Sequence, residues 1–281
     1  MVVLWFIDKL NLQIKFVKKL VIQGIITVLL FLGTWFTLTQ IDWVNFFRVQ
    51  QLNDETEQKL GELFWEIFRK SEKEVKNTNV INSVDTIVIQ ICKANKIDRS
   101  KLKIHVLNKD DINAFALPNG HLIIYSGLIL NSDNQEELAG VICHEIAHIE
   151  LNHVMKKLIK EIGLSVLISI TTGNTSAEVI KETAKMLSSS AFDRKLEKEA
   201  DSKAVDYLIK ANVNPESFAN FLYKFSYNEN EVTKYLIWIS THPESKERAK
   251  NIIEYSKGKS RNYKPILSNM KWDRLKATLK E

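Results

Sequence analysis

Residues 144–148 read His144-Glu145-Ile146-Ala147-His148, an H-E-x-x-H pattern. The stretch around it should be a helix. Leu138, Val141, Ile142, Ile146 and Ile149 recur at helical spacing. Asn131, Ser132 and Asp133 offer N-caps, and Gln135, Glu136 and Glu137 fill the first turn. Residues four apart share a helix face, so His144 and His148 can present both imidazoles to one metal ion. Zinc takes imidazole nitrogen at about 2.0–2.1 Å, and a catalytic site keeps one position for water. Such a metal brings the pKa of bound water to roughly 7. Glu145, one position on, can take that water's proton and later deliver it to a leaving amine. A chance histidine pair on a solvated face is the alternative. It conflicts with the apolar surroundings, where two buried His and a buried Glu would be costly without a partner.

The chain has 281 residues, enough for one sizeable domain with extra segments. Hydrophobic residues make up 45% and charged residues 26%, a globular balance. The formal net charge of +5 lies largely at the two ends, and no basic, aromatic-interleaved stripe marks a nucleic-acid surface. Cys92 and Cys143 are too few for a disulfide scaffold. No C-x-x-C pair points to a structural zinc module. Cys143, next to His144, should face away from the metal as a small buried hydrophobe.

Met1 to Leu20 interleaves Trp5, Phe6, Leu10 and Phe16 with Lys9, Lys15, Lys18 and Lys19, a basic amphipathic segment suited to an anionic leaflet. Val21 to Ile41 carries no charged residue and is long enough to cross a hydrocarbon core of about 30 Å. Trp35 and Trp43 are placed to anchor one interface. A cleaved signal peptide is the alternative, but the stretch is longer than a signal core and lacks a small-residue cleavage site. The reading is therefore an uncleaved anchor. The lysines precede it, so the N-terminus should be cytoplasmic and everything after Asp42 outside, the periplasmic side in a bacterium.

Leu52 to Val75 has a helical pattern with Leu60, Leu63, Phe64, Ile67 and Phe68 on one face. Val84 to Ala94 is a second helix. Leu102 to Leu107 alternates as a strand, with Leu102, Ile104 and Val106 on one side. Ile112 to Leu117 and His121 to Tyr125 are further strands, and Pro118-Asn119-Gly120 predicts a hairpin between them. Gly127 to Leu130 leads into the metal helix. The apolar run after His153 is too short to span a bilayer and predicts a buried or membrane-facing helix. Thr171 to Ser176 breaks the pattern, and another helix follows to about Leu187.

Two histidines supply only two zinc ligands, so a third must come from elsewhere. Phe192 to Ala211 reads as a helix with Asp193 as N-cap, carrying Glu197, Glu199 and Asp201. Glu197 and Asp201 are four apart and face one way. If Glu197 ligates zinc, Asp201 is placed to accept the N–H of a ligating histidine and fix its tautomer. Ala200 and Ala204 are small enough to let this helix pack closely on the first, while Glu199 should point elsewhere. An ordinary solvated charge run remains the alternative.

HEIAH followed by Arg194-x-x-Glu197-x-Glu199-Ala200-Asp201 resembles the membrane metallopeptidase family of HtpX and the CAAX prenyl proteases, metallopeptidase family forty-eight. Asn113 to Gly120 resembles that family's segment before the metal helix. Thr241-His242-Pro243 with Arg248 downstream resembles its T-H-P-x-x-x-x-R segment. The resemblance runs from about Leu102 to Arg248, and a single N-terminal span fits the periplasmic or Oma-like branch. It implies an α+β, mostly helical, zincin-like (gluzincin) domain with a small sheet or hairpin, preceded by one transmembrane helix. The division would be a basic segment at 1–20, an anchor at 21–41 and a catalytic domain at 42–281.

The same resemblance implies site roles. His144, His148 and Glu197 would bind one zinc ion, with Glu145 as general base and acid and Asp201 behind the ligands. His242 would donate to the developing oxyanion or, as in some relatives, occupy zinc's open position and hold the enzyme latent. Asn113, Ala114 and Phe115, on an edge strand, and Arg248 would bind an extended peptide. His105, His121 and His153 have no motif partner and read as ordinary structural or surface residues. The expected function is zinc-dependent endopeptidase activity on unfolded or misassembled envelope proteins. The partners implied are polypeptides, membrane lipid and envelope proteins. A different class is an envelope chaperone or assembly factor with a latent or structural zinc site.

Overall fold

The computed structural model describes residues 2–40, 54–226, 237–259 and 262–280. The expected anchor Trp43, the boundary at Asp42 and the helix start at Leu52 lie outside the described residues. The chain divides into two compact units, Met1–Val49 and Gln50–Glu281.

The first unit is built on one helix, α1 (Val2–Gln40). Its window Val17–Thr37 is 21 residues long with a mean hydropathy of 2.0, long and apolar enough to cross a membrane. Leu29, Leu30, Phe31 and Phe36 on it are all exposed. The expected basic segment and anchor form one continuous helix. No charged residue or proline interrupts residues 21–40.

The second unit opens with α2 (Asp54–Ser71), the two-residue strand β1 (Lys73–Glu74) and α3 (Thr78–Asn95). Asn77 caps α3 by accepting from the Asn79 N–H at 2.9 Å, so the helix begins ahead of the expected start at Val84. Strands β2 (Lys103–Asn108), β3 (Ala114–Ala116) and β4 (His121–Tyr125) follow. The sheet order is β1-β2-β4-β3. The hairpin β3–β4 is antiparallel, as the Pro118-Asn119-Gly120 turn predicts. Asn119 and Gly120 take φ values of 59° and 70°, which Asn and Gly tolerate best. β2 and β4 are parallel, and β1 adds antiparallel to β2.

Both sheet faces are covered. Leu102, Val106, Ala114, Leu122 and Ile124 join the main core with the helices that follow. The opposite face meets α2: Phe68 lies 4.9 Å from the Phe115 ring, and Trp65 stacks on His105 at 3.6 Å.

After α4 (Ser126–Asn131) comes α5 (Gln135–Glu150), the helix carrying the H-E-x-x-H residues. Its cap is Asn134, not one of the three residues expected. The Asn134 carboxamide accepts the Glu137 N–H at 2.9 Å, and Glu137 accepts the Asp133 N–H in return. The apolar stretch beyond is two helices, α6 (His153–Ile162) and α7 (Leu164–Thr171), broken at Gly163 with φ 88°. Then come α8 (Ala177–Ser189) and α9 (Arg194–Lys210). α9 packs on α5 through Ala200 and Ala204, both fully buried.

The remaining helices are α10 (Pro215–Ser226), α11 (Ile237–Thr241), α12 (Ser245–Ser256) and α13 (Asn269–Lys280). Gly140 lets α10 approach α5, since a Cβ there would lie 2.4 Å from Phe218 Cβ. α13 docks on α3 with Leu275 fully buried.

Candidate active site

α5 presents His144, Glu145 and His148, all at 0% exposure. α9 brings Glu197 and Asp201, and α11 ends just before His242. The Nε2 atoms of His144 and His148 are 2.9 Å apart. His242 Nδ1 is 3.2 Å from His144 Nε2 and 2.9 Å from Glu197 Oε1. Glu197 Oε1 is 3.4 Å from His148 Nε2, and its Oε2 is 3.6 Å from His144 Nε2. Four donor atoms thus converge, all within 4.8 Å of one another.

That spacing fits a metal. A tetrahedron with bonds of 2.0–2.1 Å has edges of about 3.3 Å. Two imidazole nitrogens facing each other inside a core also need a proton or a shared cation between them. The donor set of three nitrogens and one carboxylate is the kind zinc accepts.

Glu145 sits beside this cluster. Its Oε1 accepts the Trp238 indole N–H at 3.0 Å and lies 3.4 Å from His242 Nε2. Its Oε2 has no hydrogen-bond partner among the described residues. Burial pushes the carboxyl up to about 7, against the pull of His144 and the Trp238 hydrogen bond. Burial likewise drives His148 down to about 4 and His242 down to about 3, so both are neutral donors at physiological pH.

Behind the ligands lies an ion pair. Arg248 donates from Nε and Nη2 to Asp201 at 2.8 and 2.7 Å. Its Nη1 donates to the His242 carbonyl at 2.9 Å and is 2.7 Å from Glu197 Oε2. Burial disfavours the Asp201 carboxylate, but Arg248 and His144 outweigh it and hold the group at about 2. Asp201 Oδ1 lies 2.9 Å from His144 Nδ1.

Arg248, expected to bind substrate, lies inside the protein behind the ligands. All three of its guanidinium nitrogens are engaged with Asp201, Glu197 and His242 inside the protein. Asn113, Ala114 and Phe115 are buried as well. β3 is an edge strand by sheet order, but its three residues are buried, and just before it the Asn113 side-chain amide donates to Ser188 O at 3.3 Å and the Trp238 backbone N–H to Ile112 O at 3.1 Å.

Other residues at the site carry no motif signal. Trp238, on the short helix α11, stacks at 4.6 Å on His242, which follows that helix. Phe192 stacks on His148 at 4.0 Å, and Lys157 lies over the Phe192 ring while donating to Ser190 O. His153, expected to be ordinary, lies 3.1 Å from His148. Glu199 points away from the cluster, 43% exposed.

The model of peptidase family M48 matches residues 77–256, which holds every one of these site residues. The chain belongs to peptidase family M48. Among its curated M48 relatives is the beta-barrel assembly-enhancing protease of Yersinia pestis, 25% identical over 66% of this chain and 42% of that protein. The mitochondrial metalloendopeptidase OMA1 of Schizosaccharomyces pombe is 25% identical over 61% of this chain and 52% of that protein. The metalloprotease LoiP of Escherichia coli is 30% identical over 56% of this chain and 64% of that protein. The chain thus spans about half the length of these M48 relatives.

Proposed function

We propose that this chain is a membrane-anchored zinc metalloendopeptidase, latent at rest. The convergence of His144, His148, Glu197 and His242, with Glu145 beside them, carries the reading. His144, His148 and Glu197 would hold zinc, braced by Asp201 and Arg248. When bound, zinc would supply a Lewis acid for a peptide carbonyl and a source of hydroxide at neutral pH. Glu145 takes a proton from the attacking water at its free Oε2 and returns it to the leaving amine. His242, once it leaves the cluster, stays on a short tether from which its imidazole can donate to the oxyanion.

Substrates would be unfolded or misassembled envelope polypeptides, a reading supported by a relative named as a beta-barrel assembly-enhancing protease. An extended peptide would add to β3 along Asn113–Phe115 after the covering segments move aside. In this reading 1–20 is a basic cytoplasmic segment, 21–41 the anchor and 42–281 the outward catalytic domain. Protease added to spheroplasts should digest the domain; protection there, with digestion only after lysis, would reverse the orientation.

The deciding experiment measures casein cleavage and zinc content together, in detergent, for wild type and Glu145→Gln, with and without chelator. Chelator-sensitive cleavage lost in the variant while zinc is retained supports the enzyme. Full activity in the variant refutes it.

A second reading rests on one observation. His242 stands 2.9–3.2 Å from Glu197 and His144, where it would complete a closed ligand set. That would also suit a chaperone or assembly factor with structural zinc. Trp238→Phe, which loosens His242 without removing it, separates the two: cleavage unlocked by the substitution favours latency, and silence with zinc retained favours the chaperone.

A further inference from the structure

α5 ends at Glu150 and α6 begins at His153. Between them Asn152 takes a left-handed conformation, φ 55° and ψ 28°. A continuous helix turns about 100° per residue, so a residue five positions on points about 140° away. The turn at Asn152 cancels that offset. It brings His153 Nδ1 to 3.1 Å from His148 Nδ1, with both rings fully buried. The far nitrogen of His153, Nε2, lies 3.4 Å from Glu199 Oε2 on α9.

The two histidines of the motif are therefore backed differently. His144 Nδ1 faces the carboxylate of Asp201, itself clamped by Arg248. His148 Nδ1 faces a second imidazole. Two neutral imidazoles meeting nitrogen to nitrogen share one hydrogen, one ring donating and the other accepting. His148 Nε2 points into the donor cluster, so its hydrogen belongs on Nδ1. His153 must then accept at Nδ1 and carry its own hydrogen on Nε2, towards Glu199.

We propose that His153 is a positioning residue for His148. Acting as a neutral acceptor, it keeps the His148 hydrogen on Nδ1 and leaves Nε2 bare for a metal ion. This rests on the metal-site reading above and adds to it a residue outside the ligand set. An imidazole here also orients the ring without adding another carboxylate beside Glu145, Glu197 and Asp201.

The test uses full-length protein in detergent, as wild type, His153→Phe and His153→Gln. Zinc affinity is read by competition with a chromogenic chelator. The His148 tautomer is read by nitrogen NMR of histidine-labelled, zinc-loaded protein. Loss of a group that orients a metal ligand lowers affinity by roughly 10–100-fold. His153→Phe should show that loss, and His153→Gln, whose carbonyl oxygen can accept, should recover most of it. Zinc-loaded wild type should hold His148 with its hydrogen on Nδ1. Unchanged zinc affinity in both variants overturns this proposal alone. So does a wild-type His148 protonated on Nε2, a readout that stands even if His153→Phe fails to fold. A wild type that binds no zinc overturns the metal-site reading and this proposal with it.

Discussion

The Trp238 indole N–H is donated to Glu145 Oε1 across 3.0 Å, tying the short helix before His242 to the carboxylate of the H-E-x-x-H motif. The same indole stacks on the His242 ring at 4.6 Å. One side chain thus holds both the proposed base and the proposed fourth ligand in the closed arrangement. Hydrogen bonds to charged groups contribute about 1.5–3 kcal/mol. Trp238→Phe keeps an aromatic face for His242 but removes the donor. Resting casein cleavage should rise roughly tenfold or more, with zinc per chain unchanged. A rate at or below wild type would show that the indole does not restrain the site.

Glu145→Gln isolates the proton transfer. The amide nearly matches the carboxylate in shape but cannot take a proton. General acid–base catalysis contributes typically 10²–10⁴-fold, so kcat should fall by about that factor while zinc content stays at the wild-type level. Loss of zinc together with activity would make Glu145 a ligand rather than a base.

The buried ion pair predicts a stability effect separate from catalysis. Arg248 is the cation facing Asp201 and Glu197, all three within the core. Removing one partner of a buried pair leaves an uncompensated charge and costs about 3–5 kcal/mol. Arg248→Met should lower the zinc-free melting temperature markedly. Its acid limb should also move: with Arg248 present, Asp201 is held at about 2, below its ordinary 3.8. A depressed acid adds stability above its unfolded pKa and loses it as pH falls towards the folded one. Without Arg248 burial raises the Asp201 carboxyl, so that acid loss should shrink or reverse, and the variant should lose stability less steeply than wild type as pH falls. Melting curves of both proteins between pH 6 and 3 check this, and coincident curves would dismiss the pair as a brace.

How much of this is legible in the sequence depends on what each feature needs. The metal helix and the β3–β4 hairpin announce themselves by local spacing and turn residues, while Glu197 stands out from a solvated charge run only through the family resemblance. β1 does not: Lys73 and Glu74 have no apolar alternation, and only pairing with Leu107 and Asn108 makes them a strand. Asn134 is hard to single out as the cap because three other polar residues precede it. Helical spacing alone puts His153 on the wrong face for His148; one left-handed residue, Asn152, turns it back. The place of Arg248 depends on α12 packing against α9, a contact that no local pattern encodes.

A last prediction concerns the second histidine cluster, remote from the motif in sequence. His121 is buried, with Nδ1 3.0 Å from His105 Nε2 and Nε2 3.3 Å from Glu62 Oε1. Burial drives His121 down to about 4, with Lys103 and His105 pushing the same way. A base with a depressed folded pKa stays neutral in the fold while the unfolded chain takes up a proton. Stability is therefore full above about 6.5 and is lost as pH falls towards 4. His121→Gln removes that group, so its stability should depend on pH less steeply than wild type between 6 and 5, by about one bound proton. Urea unfolding of the zinc-free proteins across that window measures both slopes. Equal slopes would mean that His121 is protonated alike in the folded and unfolded chains.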